Sequence, residues 1–386
     1  MQSRSAIGPG WNPVTPETGK LCAERLAEKL KCSEEKDILN CLEGKDMKEI
    51  IVHTYDLGIT TCWMAVPDID YSSEPFLIGD PEEIMSSGNF NTDVEIIIGT
   101  NKDEGILSFF DQLRDPTKWD ILRENFDTHG PMLLFDIGRE SQITQLDWER
   151  ANELIKYYAG SIENINEDFQ QEMFDMMTDS IFLYGTHRTI DSMINNDVTI
   201  YQYILTYQGR YSFSNFFGIP TIGVCHADDL FYLFDNGLGL MNEEESAVSE
   251  LMVTAWTNFA KTGDPNSDSN SSLAWEPLTS DVRYQYWNIS GPEPGMDMDY
   301  YIHERMMLWD EIMSMTTPTT TPTTTMSTKT TTPITTMPTK PTTPTTTMTT
   351  TSTTTPTTPT TSLGNANQFS TVLKFLIVAL ILCYKM

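Results

Sequence analysis

Val94-Glu-Ile-Ile-Ile-Gly-Thr-Asn-Lys-Asp-Glu-Gly105 is the stretch whose reading decides the fold. Its first half is a continuous β-branched run and does not alternate with polar residues. Three successive isoleucines, Ile96 to Ile98, suit a strand buried on both faces, as in a parallel sheet covered by helices. Its second half is a polar turn at the strand's carboxyl end, the edge of an α/β sheet where sites are built. A second run, Val198-Thr-Ile-Tyr-Gln-Tyr-Ile-Leu-Thr-Tyr207, predicts another buried strand. Further on, Gly223-Val-Cys-His-Ala-Asp-Asp-Leu-Phe-Tyr-Leu-Phe234 places His226 at an expected strand-to-loop transition, followed by two acids and an aromatic run. The fold class expected from these segments is α/β.

Helical patterns fill the space between them. Gly19 to Leu30 and Asp46 to Leu57 read as amphipathic helices, and Leu146–Tyr158 and Asp168–Met193 as stronger ones. Glu243–Lys261 is the clearest. Val248, Leu251, Met252, Ala255, Trp256 and Phe259 share one face, acids crowd the first turn, and Gly263 with Pro265 ends it. Tyr284–Ile289 suggests a strand-like return, and His303–Met313 a last helix. Trp63 to Asp70 is an apolar run broken by Pro67, hence a loop or edge strand.

The 386 residues carry a formal net charge of −31, from 24 basic and 55 acidic side chains. Such a surface repels nucleic acid and anionic lipid; it could steer a cationic ligand, and it also serves plain solubility. Six cysteines show no zinc spacing, so no metal site is expected. Cys32 and Cys41 bracket a polar, loop-like segment that suits a local disulfide in an oxidising compartment. The sequons at Asn270 and Asn288 favour the same compartment, whereas the first ten residues hold no export signal.

Residues 1–315 have globular composition. Residues 316–362 are almost wholly Thr, Pro and Ser, which predicts a disordered, O-glycosylated stalk. In residues 363–386, small residues at Gly364-Asn365-Ala366 precede a polar spacer and a short apolar tail interrupted by Lys374. That order fits a GPI-attachment signal better than a transmembrane segment, which needs about 20 apolar residues. Either device anchors the chain to a membrane through its C-terminus, on the extracellular face of the plasma membrane.

Chemistry centres on Glu104 and His226. Alone, Asn101-Lys-Asp-Glu-Gly105 is an ordinary surface turn. A parallel sheet, however, would bring Glu104 and His226 to one edge, and of the five histidines only His226 has this setting. The two blocks around them resemble the triad-acid and triad-histidine blocks of the type-B carboxylesterases and cholinesterases, members of the α/β-hydrolase fold. Trp256-Thr-Asn-Phe-Ala-Lys-Thr-Gly-Asp-Pro-Asn266 resembles a third block, and Cys32 and Cys41 sit where that family has a small disulfide loop.

The resemblance implies acyl transfer on a small-molecule carboxylic ester. A serine attacks the carbonyl, His226 moves the proton and Glu104 orients the imidazole, with no metal or organic cofactor. It also implies a departure, because the family nucleophile sits on a Gly-x-Ser-x-Gly elbow and this sequence has none. Met1-Gln-Ser-Arg-Ser-Ala6 resembles the family segment shortly after that elbow, with Arg4 replacing a glycine. The expectation is therefore the C-terminal part of an α/β-hydrolase domain, inert by itself, whose first methionine is an internal one. Leu107 and Ser108 occupy the positions of the aromatic pair in cholinesterases, which points to a general ester over a choline ester. Trp63 falls near the acyl-pocket segment, where it lines the pocket or the core. The rival from another class is a non-catalytic, cholinesterase-like adhesion protein on a stalk.

Overall fold

Successive isoleucines can be buried only if both faces of their strand are covered, and Ile97 and Ile98 are buried, with Ile96 half-buried at the strand's start. Ile96–Asn101 (β1) and Ile200–Leu205 (β2) pair in parallel, with Ile97 opposite Tyr201 and Gly99 opposite Tyr203. Tyr286–Ile289 (β3) joins β2 in parallel, and Gly295–Asp297 (β4) returns antiparallel along β3, giving the order β1-β2-β3-β4. On the outer side of β1, Gln2 forms a parallel bridge with Gly99, and the Ser3 amide donates to the Gly99 carbonyl at 2.8 Å. The computed structural model describes residues 1–9, 15–33, 37–55, 65–70, 72–135, 143–235, 240–266, 274–298 and 300–316.

One face of the sheet receives Glu243–Thr262 (α12). Tyr201, Tyr203, Leu205, Trp275 and Trp287 pack there against Val248, Met252 and Ala255. Trp275 and Trp287 stack at 4.5 Å; the Trp275 indole donates to the Gln202 carbonyl at 3.0 Å, whereas the buried Trp287 Nε1 has no hydrogen-bond partner among the described residues. The opposite face receives Tyr184–Ile194 (α10), where Ile190 and Met193 meet Ile98 and Ile200. Burying side chains of this size contributes roughly 1.5–3 kcal/mol each, which holds the strand ends in place. The predicted boundaries of α12 fall within a residue of the observed ones. Asn242 and Glu245 form a capping box at its start, and Gly263 ends it in the left-handed conformation at φ +77°.

A larger helical cluster lies beside the sheet. It contains Phe110–Arg114 (α5), Thr117–Glu124 (α6), Phe126–Phe135 (α7), Gln145–Tyr158 (α8), Gln170–Thr178 (α9) and Tyr300–Met313 (α13). Arg150 of α8 donates to the carbonyls of Ile312, Met313 and Met315, at 3.2, 2.7 and 2.8 Å, and so satisfies the open end of α13. Within this cluster lies a buried ionic network. Arg305 pairs with Asp179 at 2.7 Å and with Asp175 at 3.3 Å; Tyr158 donates to Asp179, and the Trp309 indole donates to the Tyr158 oxygen at 2.9 Å.

Pro16–Lys29 (α1), Ile38–Glu43 (α2) and Met47–Tyr55 (α3) form a smaller unit whose core is Leu26, Ala27, Leu30 and Cys32. The expected Cys32–Cys41 disulfide is present, with 5.7 Å between Cα atoms. Cys22 also carries a disulfide, which spacing did not suggest. Pro81–Ser86 (α4), capped by Asp80, was likewise not anticipated. The expected transition at His226 differs from the observed one: no strand precedes it. The Val224 and Cys225 amides donate to the Asp103 and Asp228 carboxylates, which removes them from any sheet ladder.

Trp63, Asn270, the Thr/Pro tract and the apolar tail lie outside the described residues. Among the described residues, no helix is long and apolar enough to cross a membrane.

Candidate active site

Glu104 opens a tight 3-10 turn, Glu104–Phe109, three residues after β1 ends. Its two oxygens have different partners. Oε1 accepts from the Asn101 amide at 2.7 Å, and Oε2 meets His226 Nδ1, also at 2.7 Å. Glu104 is fully buried, while the His226 side chain retains 13% of its exposure. Gly105 is required beside it, because a Cβ there would lie 2.2 Å from the Phe174 carbonyl oxygen. The Gly105 amide instead donates to Thr178 Oγ1 at 2.9 Å, tying the acid turn to α9.

His226 is held from the other direction by a loop built around carboxylates. Ala227 takes φ +68°, which reverses the chain directly after the histidine and before Leu230–Leu233 (α11). Asp228 accepts from the Cys225 amide at 2.8 Å, the Phe213 amide at 2.6 Å and the Ser212 hydroxyl at 3.0 Å. Burial pushes the Asp228 carboxyl well up, and those donors oppose the rise. Asp229 accepts from Gln2 Nε2 at 2.8 Å and from the Tyr203 hydroxyl at 3.3 Å. Burial and the nearby Glu104 raise Asp229, while His226 lowers it. Tyr203 reaches Asp229 by crossing Gly99, where a Cβ would sit 2.3 Å from its ring.

Asp103 staples the two loops together. Its amide donates to the Val224 carbonyl at 2.9 Å, and its Oδ2 accepts from the Val224 amide at 3.0 Å. Gly223 permits this approach, since a Cβ there would meet Asp103 Oδ2 at 2.7 Å. Asn101 adds a further tie, its Nδ2 donating to the Cys225 carbonyl at 2.8 Å. The acid and the imidazole, 122 residues apart, are thus fixed by contacts between their immediate neighbours.

Glu104 and His226 are the sequence-predicted residues that the structure brings together. Asp103, Asp229, Gln2 and Phe182 were not singled out; only the pair of acids after His226 hinted at how that loop is held. Asn288 lies on β3, accepting from Thr206 Oγ1 at 2.6 Å and donating to Asp297 Oδ2 at 3.1 Å. Phe109 stacks on Trp119 at 5.0 Å, and Phe110 meets Phe217 with tilted rings at 4.9 Å; Phe109 and Phe110 are buried in the helical cluster. Cys225, although next to His226, is poorly suited to act as a nucleophile: burial pushes its thiol well up, and the thiolate is the reactive form. Among the described residues, no three His, Cys, Asp or Glu side chains are grouped to hold a metal ion.

The chain is similar to known esterases over much of its length. Juvenile hormone esterase from Tribolium castaneum is 30% identical over 54% of this chain and 37% of its own length. Acetylcholinesterase from Bungarus fasciatus is 24% identical over 72% of the chain and 45% of its own length. Venom carboxylesterase-6 from Apis mellifera is 26% identical over 68% of the chain and 48% of its own length. The chain spans less than half the length of these relatives. The profile of the carboxylesterase family matches residues 2–307, and the chain belongs to that family, with its α/β-hydrolase fold.

Proposed function

We propose that this chain supplies the acid and the base of a carboxylic-ester hydrolase. The observation that carries the reading is the 2.7 Å contact between His226 Nδ1 and a fully buried Glu104. A carboxylate on Nδ1 fixes the tautomer in which Nε2, on the opposite edge of the ring, accepts a proton. It then stabilises the imidazolium that forms. The nucleophile is a serine on a Gly-x-Ser-x-Gly segment outside this sequence, and backbone amides near that segment stabilise the tetrahedral oxyanion. Carboxylic esters are the substrate class, in keeping with the esterase names of the relatives. We further propose that residues 316–362 form a glycosylated stalk and residues 363–386 an anchor that keeps the domain at the extracellular face of the plasma membrane.

The test uses a full-length protein carrying both this chain and the serine segment. His226→Ala should lower kcat for a simple aryl ester by about 10⁴-fold or more, with KM little changed. Hydrolysis that survives the substitution, or a folded full-length protein inert towards esters with the pair intact, would remove the reading. The second result would favour an adhesion role.

A further inference from the structure

The helical segment from Gln170 to Ile194 is not uniform. Between α9 and α10, Asp179–Leu183 form a single π-turn. Such a turn admits an extra residue at a cost in hydrogen-bond geometry, and it recurs at functional sites. Its consequence here can be traced residue by residue. Asp179 points into the core to pair with Arg305 of α13, and Ser180 Oγ donates to the Leu134 carbonyl. Phe182, fully buried, lies face-on to His226, with centroids 5.1 Å apart and planes inclined by 30°. The imidazole is therefore held along its Nδ1 edge by Glu104 and across one face by Phe182.

We propose that Phe182 is a positioning residue for His226, set in place by the π-turn that Asp179 and Arg305 anchor. The ring does two things that an aliphatic side chain of similar size does not. Its flat face limits rotation of the imidazole out of the plane in which Nδ1 meets Glu104. Its negative face favours the imidazolium over the neutral ring. This inference rests on the reading of His226 as the base, and it assigns the stacking partner of that base.

Titration of the imidazole in the full chain by nitrogen NMR tests it, with His226→Gln used to assign the signal. Phe182→Leu should move the His226 midpoint down by about half a pH unit, the size of a modest cation–π contribution. A pentafluorophenylalanine at position 182, which keeps the ring but reverses the charge of its face, should move it in the same direction. That second variant preserves the packing if Phe182→Leu fails to fold. A purely structural role predicts no movement with the fluorinated ring, and an unmoved midpoint there overturns the proposal. Glu104→Gln serves as the separate control. If it leaves the midpoint unmoved, the acid–base pairing itself fails; if it moves the midpoint and the Phe182 variants do not, only the role of Phe182 falls.

Discussion

Glu104 and Asp179 are both fully buried carboxylates, and their partners differ in kind. Glu104 is met by a backbone amide and an imidazole. Asp179 is met by the Arg305 guanidinium and the Tyr158 phenol. Histidine gains and loses its proton near neutrality, whereas arginine stays charged throughout the range in which a protein is folded. Burial pushes the Asp179 carboxyl up to about 7 against the pull of Arg305, yet no partner there can accept its proton. Burial of a carboxylate therefore does not distinguish a working acid from a structural one; the titratability of its partner does.

With Glu104 as the proposed catalytic acid, the contrast predicts that Asp179 governs stability and Glu104 governs rate. Arg305→Met should be the largest lesion to folding, losing about 3–5 kcal/mol in urea unfolding, because it strands Asp179 without its cation. Adding Asp179→Leu should recover much of that loss; if it recovers none, the network is not an ion pair in the sense argued here.

A third carboxylate sharpens the comparison. Glu245 is buried but bonded to the half-exposed Arg210 at 2.6 Å, and the hydrogen bond from Arg210 holds its carboxyl down, at about 2. A depressed acid contributes stability that is present above its unfolded value near 4.5 and is lost as the pH falls towards 2. Glu245→Gln should therefore cost roughly 2–3 kcal/mol at pH 7, discounted for the exposure of Arg210. It should also flatten the stability profile between about pH 5 and pH 2. An unchanged acid limb would separate Glu245 from this role. The smallest expected effect on folding belongs to Glu104, the proposed catalytic acid. Glu104→Gln keeps an acceptor for the Asn101 amide and should change unfolding free energy by about 1 kcal/mol or less.

Sequence patterns revealed one side of this comparison and concealed the other. The isoleucine run of β1, the one-sided apolar face of α12 and the blocks around Glu104 and His226 are local signals, and each led to the observed element or contact. The strand expected before His226 is absent because side-chain carboxylates, not a neighbouring strand, take up the amides of Val224 and Cys225. Asp179 looks in sequence like a polar residue on a helix surface; its partner Arg305 lies 126 residues away. The π-turn is a one-residue insertion that barely disturbs the apolar spacing, so neither it nor the Phe182–His226 stack was legible. The pairing of Gln2 with β1 and the three-residue β4 are too short to carry a pattern.

The central claim is that Glu104 and His226 act as one unit. A double-mutant cycle on kcat/KM in the full-length protein measures that most directly, using Glu104→Gln, His226→Ala and the two combined. Once the imidazole is gone, the carboxylate has nothing to orient. The account therefore predicts that the double variant is as slow as His226→Ala alone, within about threefold. Costs that multiply, leaving the double variant slower by the full product of the two single losses, would contradict it.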